Sequence, residues 1–490
     1  MYPTKEEVKE LLKDYNSVPV CMDVLADNIT PIGIFQSLNN LEVSFILESV
    51  ENSNWGKYSF IGLNTTKELR IKNNISTLID ASGSHKQSIS NLSNYINEQL
   101  IKTKAPQLSN MPNFNGGYIG YFSYDLARYN ESILQINKDD DIGMLDTHLY
   151  YFDQIIAYNH TNNHINIIHN INKEDDLDIS YSYAYKHSIE VLNNITSYIC
   201  KDKVIKNEDM QVISNTNYLE FENKVNICKE YIKAGDIFQV VISQRFEVKN
   251  PPNPLLVYRE LRASNPSPYL YYLKNKEYEI VGASPEMLVN VTKGVITNKP
   301  IAGTCKRGNN IEEDNILSNK LLKDPKECAE HTMLVDLGRN DVGRVSKLGS
   351  VEVVNFKQVE KFSNLMHLVS NVKGLLRDDL TCIDALLSML PAGTLSGAPK
   401  IRAMQIIDEL EVNKRGLYGG CIGYLDNDGS MDSCIAIRTV LYKNGVAYIQ
   451  SGAGIVADSI AINEYEETIR KADSILNVMR KVGTNNDNNN

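Results

Sequence analysis

A chain of 490 residues, 42% hydrophobic and 23% charged, has the composition of an ordinary globular protein and the length of about three average domains. Its formal net charge of −11 argues against nonspecific nucleic-acid binding, which rests on cationic contacts to phosphates, and leaves room for a small anionic ligand in a local cationic pocket. Eight cysteines without a CxxC pair speak against a zinc site or a disulfide framework and for buried thiols.

The opening MYPTKEEVKELLKDYN carries charges where a signal peptide needs its apolar core. No later run reaches the ~20 apolar residues that span a bilayer, so a cytoplasmic protein without a membrane segment is expected. From about residue 30 to 170, short apolar runs (VSFILES, KYSFIGL, GGYIGYF, QIIAY, HINIIH) alternate with Asn- and Asp-rich turns, which predicts a sheet-rich region. Residues 70–112 are more polar and read as partly helical. A helix is expected over 180–200, and the polar KDKVIKNEDMQVISNTN after it marks an exposed connection. The expected organisation is an N-terminal domain over 1–200, a connection over 201–216, a second domain over 217–482 and a disordered tail over 483–490.

The spacing Tyr218, Phe221, Val225, Cys228, Ile232 predicts an amphipathic helix that Gly235 stops. A strand follows in DIFQVVISQRF, where Gln239, Val241, Ser243 and Arg245 share one face and Phe238, Val240 and Ile242 the more apolar other. His367, in NLMHLVSNV, stands in apolar company, where a histidine is more often a satisfied core residue than a catalyst.

The densest chemistry lies in DPKECAEHTMLVDLGRND, residues 324–341. Asp324 can cap a helix, Pro325 suits its first position, and Glu327 and Glu330, three apart, fall on one face. Asp324 with Glu327 also fits a capping box, but that leaves Glu330 and His331 unexplained. Paired acids on one wall suit a hard divalent cation. LGRNDVGRV, with Gly338 and Gly343 at its ends, reads as a turn-rich exit.

In LPAGTLSGAPK, residues 390–400, Gly393, Thr394, Ser396 and Gly397 precede a helix whose first turn holds Pro399 and whose Ala403, Ile406, Ile407 and Leu410 point inward. Backbone amides there would attract a phosphate or carboxylate. Strands are expected near 418–424, 432–442 and 445–451, then a terminal helix. SGAG, 451–454, follows the last strand, and Glu464, Glu467 and Lys471 take helical spacing; alone, such charges more often form a solvated face. Arg438, between apolar neighbours in IAIRTVLY, needs an anion to offset its burial. Composition and spacing thus reach a soluble, metal-assisted enzyme for a small anionic substrate, and no further.

The ordered set DIFQVVISQRF, NPSPYLYYL, GASPEMLV, PIAGTCKRG, DPKECAEHTMLVDLGRNDVGRV, LPAGTLSGAPK, GGCIGY, CIAIRT and SGAGIVADS resembles the chorismate-utilising enzymes, and within them the anthranilate synthase component I branch. The resemblance is dense over 218–475 and thinner over FILES, KYSFIGL and GGYIGYFSYD. It implies an α/β (α+β) fold of two domains, with large antiparallel β-sheets in a sandwich-like core and outer helices. Two positions separate branches of this family. Gln239 stands where isochorismate and salicylate synthases carry a water-activating lysine; it is a poor base, which favours ammonia as the attacker. Ala302, in PIAGT, replaces the lysine by which aminodeoxychorismate synthases of the well-known type attack covalently.

The resemblance implies that chorismate and ammonia give aminodeoxyisochorismate, which loses pyruvate to yield anthranilate. It implies Mg²⁺ held by Glu330 and Glu467 with Glu327 beside them, Glu286 protonating the departing hydroxyl, and His367 assisting pyruvate elimination. Tyr418, Arg438, Thr394 and the amides of Gly452, Ala453 and Gly454 would hold the substrate carboxylates, with Lys471 completing a cationic wall. It further implies inhibition by L-tryptophan bound between the domains, at Leu47, Glu48, Ser49 and Lys57, at Asn265, Pro266, Ser267, Pro268, Tyr269 and Leu270, and at Ile422, Tyr424 and Cys434. Leu270 departs from the methionine common there. No GxCxGxQ-like nucleophile segment is present, so ammonia would come from a glutamine amidotransferase subunit in a hetero-oligomer, or from solution. Two alternatives stay open at this point: an aminodeoxychorismate synthase without the usual lysine, and a catalytically silent tryptophan sensor.

Overall fold

The computed structural model describes residues 1–38, 41–49, 56–131, 133–134, 138–198, 209–361 and 365–484. The first part of the expected connection and nearly all of the expected tail lie outside these residues. No described helix is long and apolar enough to cross a membrane.

The fold is mixed α/β, built on antiparallel pairing that runs as two limbs from a common root, the paired strands Tyr58–Lys72 and Thr147–Asn159. One limb leaves Thr147–Asn159 through Gly117–Phe122, then Cys421–Asp426, Met431–Ile435, Met287–Thr292, Val295–Asn298 and Leu365–Leu375. Glu352–Lys361 and Ile301–Lys306 close that end. The other leaves Tyr58–Lys72 through Ser44–Glu48, then Tyr269–Lys274, Tyr278–Ser284, Thr439–Lys443, Val446–Ile455 and Gln239–Lys249.

The limbs pack face to face. Phe45, Tyr271, Ile280 and Leu441 from one share a buried cluster with Ile119, Tyr121, Ile422 and Cys434 from the other. Each such side chain contributes roughly 1.5–3 kcal/mol when fully buried. Helices cover the outer faces: Pro254–Ser264 and Ala461–Thr484 lie on the second limb through Val257, Leu261, Ile475 and Met479, whereas Leu92–Ile101, Pro325–Gly343 and Cys382–Met389 lie on the first. The helices Tyr218–Ala234 and Lys400–Leu410 both pack against Val240 and Ile242 of the strand Gln239–Lys249.

The expected helix at Tyr218 forms with an Asn217/Glu220 capping box and ends at Gly235, whose φ of 85° a side chain would disfavour. The helix expected over 180–200 spans Leu177–Ser197, starting earlier because the Asp176 side chain caps it. Residues 70–112 hold more strand than expected. A hairpin of Ile75–Asp80 and Gly83–Ser88 precedes the helix Leu92–Ile101, and because Gly83–Ser88 is exposed throughout it shows no apolar alternation.

Three local expectations change. LGRND is no turn: the helix runs on to Gly343, and Gly338 lets it approach the sheet, since a Cβ there would lie 2.6 Å from Asn298 Oδ1. SGAG is the interior of the strand Val446–Ile455. The stretch 432–442 is two strands, broken at Arg438, which takes a left-handed φ of 49°. Of the described cysteines, Cys21, Cys228, Cys382, Cys421 and Cys434 are buried, and all those described are free thiols.

Candidate active site

The chain passes between the two limbs at 285–286, from Tyr278–Ser284 to Met287–Thr292, and again at 436–438, from Met431–Ile435 to Thr439–Lys443. Glu286 sits on the first crossing and Arg438 on the second. The crossings are knit to their neighbours by Ile435 N–H donating to Glu286 O (3.0 Å) and Ala283 N–H donating to Arg438 O (3.2 Å). An acid and a guanidinium are thereby fixed by main chain where the limbs meet.

Thr394 Oγ1 donates to Glu286 Oε2 at 3.0 Å. Burial raises the Glu286 pKa against the opposing pull of Thr394, Lys471 and Arg438. Arg438 is itself part-buried, and burial lowers its pKa while Glu286 opposes the shift. Among the described residues its guanidinium has no carboxylate within salt-bridge distance, an arrangement that calls for an anionic ligand.

Gln239 and the glycine strand meet beside these groups. A Cβ on Gly454 would lie 2.6 Å from Gln239 Nε2, and one on Gly452 2.9 Å from both the Tyr418 hydroxyl and the Ile242 carbonyl oxygen, so the absence of side chains lets these groups approach the strand. Strand Val446–Ile455 pairs with Thr439–Lys443 only as far as Ile449, leaving one edge of 450–455 open. Val241 and Ser243, opposite Gly454 and Gly452, direct their N–H groups away from this strand, to Ser396 O (2.9 Å) and Glu411 Oε1 (2.8 Å). The amides of Gly452 and Gly454 therefore face the open edge, whereas that of Ala453 faces the ladder. Lys471 Nζ donates to Gly452 O at 2.9 Å and pairs with Glu467 at 2.7 Å.

Glu330 and Glu467 come from the helices Pro325–Gly343 and Ala461–Thr484. Burial raises the Glu330 pKa first, and the charges of Glu327 and Glu467 raise it further, so the three acids lie within electrostatic reach of one another. Glu464 adds to the group: burial, then Glu467, raises its pKa against Ser459, Lys326 and Lys471. Among the described residues no three acidic, histidine or cysteine side chains converge on one point as a preformed metal cage. The donors are nonetheless all carboxylate oxygens whose mutual repulsion is only partly offset, which fits a hard divalent cation.

Glu327 Oε2 lies 3.2 Å from the position of a Cβ on Gly303, whose strand also carries Thr304. Thr304 Oγ1 is 3.0 Å from His367 Nδ1. His367 is thus no core histidine: it sits between Thr304 and Glu360 of the flanking strands, within reach of the Arg438 charge. Burial lowers its pKa, so it is neutral near pH 7 and able to accept a proton.

Arg438, Glu467 and Lys471 line a cavity of about 460 Å³, joined there by Asn265 and Arg470. Glu286 and Thr394 line a separate pocket of only about 40 Å³, against Gly338 and Asp341. A second large cavity of about 710 Å³ lies between the limbs, lined by Leu47, Glu48, Ser49, Pro268, Tyr269, Leu270, Ile422, Tyr424 and Cys434. Lys57, Asn265, Pro266 and Ser267 do not line it: Lys57 is exposed over the Tyr58 ring, Ser267 is buried, and Asn265 faces the other cavity. Glu48 accepts from the hydroxyls of Tyr258 (2.6 Å) and Ser59 (3.2 Å) and pairs with Arg262 (2.9 Å). Among the described residues Ser49 Oγ, which is buried, has no partner. Asp432, which the sequence did not single out, also lines this cavity; it accepts from Tyr269, and burial pushes its pKa up to about 7.

Also missed was the support beneath the site. Arg415, 4% exposed, pairs with Glu411 at 2.6 Å and donates to Leu395 O (2.6 Å) and Val241 O (2.7 Å), tying the Thr394 segment to the Gln239 strand. The spacing of Glu411 and Arg415 was its only sequence signal.

The fold of two facing antiparallel limbs is shared with known proteins. The family model for chorismate binding enzymes matches residues 42–477, and the chain belongs to that family. It is 46% identical to anthranilate synthase component 1 of Acetivibrio thermocellus, over 98% of this chain and 99% of that one. It is 42% identical to the protein of the same name from Pseudomonas aeruginosa, over 95% and 96% of the two chains. Among solved structures, anthranilate synthase component I from Streptococcus pneumoniae aligns with a TM-score of 0.76 at 39% identity, covering 92% of this chain and 98% of that one.

Proposed function

We propose that this chorismate-utilising enzyme is the large subunit of an anthranilate synthase, converting chorismate and ammonia to anthranilate and pyruvate through aminodeoxyisochorismate. The observation that carries the reading is Arg438, a part-buried guanidinium without a carboxylate partner among the described residues, fixed beside an acid whose pKa is raised. Chorismate is a dianion that loses a hydroxyl, and this pair supplies a cation for a carboxylate and a proton for the leaving oxygen.

The substrate carboxylates are bound by Arg438, by the outward amides of Gly452 and Gly454 and by the Tyr418 hydroxyl, with Thr394 and Lys471 at the margins. Glu286, whose pKa burial raises, gives its proton to the departing hydroxyl oxygen as ammonia adds to the ring. Gln239, beside Gly454, has no base strength with which to activate water, and Ala302 has no nucleophile. Neutral His367 then assists the proton movements that release pyruvate and aromatise the ring. Glu330 and Glu467, with Glu327 adjacent, would hold Mg²⁺, which supplies Lewis-acid stabilisation of a substrate carboxylate. Glu467, which pairs with Lys471 at 2.7 Å, would exchange that partner for the cation.

Ammonia is supplied by a glutamine amidotransferase subunit, giving a hetero-oligomeric enzyme, or by ammonium in solution. L-Tryptophan inhibits from the cavity between the limbs, whose volume lies in the ~300–1,000 Å³ range of small-molecule sites. Segment 265–269 joins the two cavities: Asn265 borders one, and Pro268 and Tyr269 the other. A ligand that repositions one end is thereby coupled to the other.

An assay with chorismate, Mg²⁺ and ammonium at alkaline pH, read by product identification, tests the reading. Release of anthranilate and pyruvate is expected; aminodeoxychorismate as end product, or no turnover, overturns it. With His367→Ala, anthranilate formation should slow by roughly 100-fold, the low end of general acid–base effects, while an aminated intermediate builds up.

A further inference from the structure

We propose that His169 and His187 form a two-imidazole site for a late first-row divalent cation such as Zn²⁺, Ni²⁺ or Cu²⁺, clasping the helix Leu177–Ser197 to the strand His164–Asn172. It lies away from the carboxylate cluster and does not depend on the proposed reaction.

The tautomer of His169 follows from its neighbour. Ser188 Oγ is 2.7 Å from Ala184 O, and that contact uses its only proton. Its 3.1 Å contact with His169 Nε2 must therefore be a hydrogen bond donated by the ring N–H. Nδ1 of His169 then carries a bare lone pair, and the residue is 3% exposed with that atom unpartnered among the described residues. Nδ1 of His187 is likewise buried without a partner among the described residues. A buried ring nitrogen left unpaired is unusual, and two on adjacent rings ask for a common explanation.

The ring spacing fits one. Two imidazole nitrogens about 2.0–2.1 Å from a shared ion, at a tetrahedral angle, place their ring centres about 5 Å apart. The centroids of His169 and His187 are 5.3 Å apart, with planes inclined at 78°. Tyr183 stacks on His187 at 5.3 Å and 8°, and meets His169 edge-on at 6.2 Å, which holds both rings in orientation. The Ser188 contact on the far nitrogen of His169 is the supporting bond that metal-ligating histidines commonly make. Burial keeps both rings neutral at pH 7, the form that ligates, with His169 at a pKa of about 3. Imidazole pairs suit borderline transition ions, whereas Mg²⁺ prefers oxygen. Among the described residues no third His, Cys, Asp or Glu completes the set, so water fills the remaining positions. Glu190 lies within electrostatic reach of His187 and offsets some of the ion's charge. His187 is only part-buried and gives the ion its way in.

The full-length chain, stripped with EDTA and dialysed, should bind Zn²⁺ saturably at one ion per chain by isothermal titration calorimetry, with a rise in Tm. With Cu²⁺, electron paramagnetic resonance should show nitrogen superhyperfine splitting. His187→Gln should abolish the Zn²⁺-dependent rise in Tm and reduce the nitrogen coupling. His169→Gln should do the same, and if that buried variant fails to fold, the part-buried His187→Gln decides alone. Absence of saturable Zn²⁺ binding, or binding and nitrogen coupling unchanged in His187→Gln, overturns the proposal.

Discussion

Glu48 and Glu286 both lie beside a cavity, and their surroundings are opposite in kind. Glu48 accepts from Tyr258 and Ser59 and pairs with Arg262, so its own charge is satisfied. Glu286 has one neutral donor, Thr394, and two cations that act on it without a salt bridge among the described residues. Glu330 faces like charges. On the proposed function, the difference separates a site shaped to receive a ligand from one held in readiness for charge transfer. Satisfied hydrogen bonds hold a cavity's shape, whereas unsatisfied ones leave shifted pKa values, the pattern common at reactive sites.

The carboxylate cluster gives the strongest way to break that contrast. Glu330→Gln removes one of the two proposed Mg²⁺ ligands and should lower Mg²⁺-dependent turnover on the order of 10²–10³-fold, the scale for losing one electrostatic stabiliser of a transition state. Because it also relieves repulsion from Glu327 and Glu467, the fold should tolerate it. Steady-state kinetics across a Mg²⁺ titration, with a melting curve for each protein, would separate the effects. Unchanged turnover at limiting Mg²⁺ would take Glu330 out of the cation site.

Beneath the same region, Arg415→Met should have the largest effect on stability. It leaves Glu411 buried with only the Ser243 donors, and breaking such a pair costs about 3–5 kcal/mol. The loss would appear as a shift in the denaturant midpoint. A shift below about 1 kcal/mol, the scale of an exposed pair, would mean that the network is solvated.

Glu286→Gln sharpens the contrast through pH. A carboxyl whose folded pKa lies above its unfolded value, about 4.3, stabilises the fold fully below that value, and the contribution is lost as pH rises through the folded pKa. Glutamine carries no such dependence. The variant should match the parent near pH 4 and melt above it at pH 8, while losing activity at both. Parallel melting curves at the two pH values would show that Glu286 has no raised pKa.

The motifs that define the family were legible because each is a short run with fixed chemistry: SPE for Glu286, PIAGT beside His367, SGAG for the glycine strand. Their convergence was not. Glu286 and Arg438 meet because the chain crosses between limbs at both positions, and a crossing has no period in sequence. Arg438 looked like a strand residue for the same reason, its apolar neighbours belonging to two different strands. Gly338 looked like a turn because glycine usually marks one, whereas here it lets a helix approach Asn298. Thr394 was legible as part of a glycine-rich segment, but Arg415, which holds that segment in place, carried only the ordinary spacing of a helix ion pair.

The smallest expected effect tests the Glu48 side. Ser49 Oγ, buried in the Leu47–Ser49 wall of the inter-limb cavity, has no partner among the described residues, so a ligand that supplies one gains a hydrogen bond without breaking another. A net gain of about 1 kcal/mol corresponds to roughly fivefold in affinity. Ser49→Ala should therefore raise the half-inhibitory concentration of tryptophan by about that factor, measured by inhibition titration at fixed chorismate. Glu48→Gln should act differently, because it disturbs Tyr258 and Arg262 and lowers Tm along with tryptophan affinity. If Ser49→Ala also lowered Tm, or if neither variant changed inhibition, the wall would be only a packing seam between the limbs.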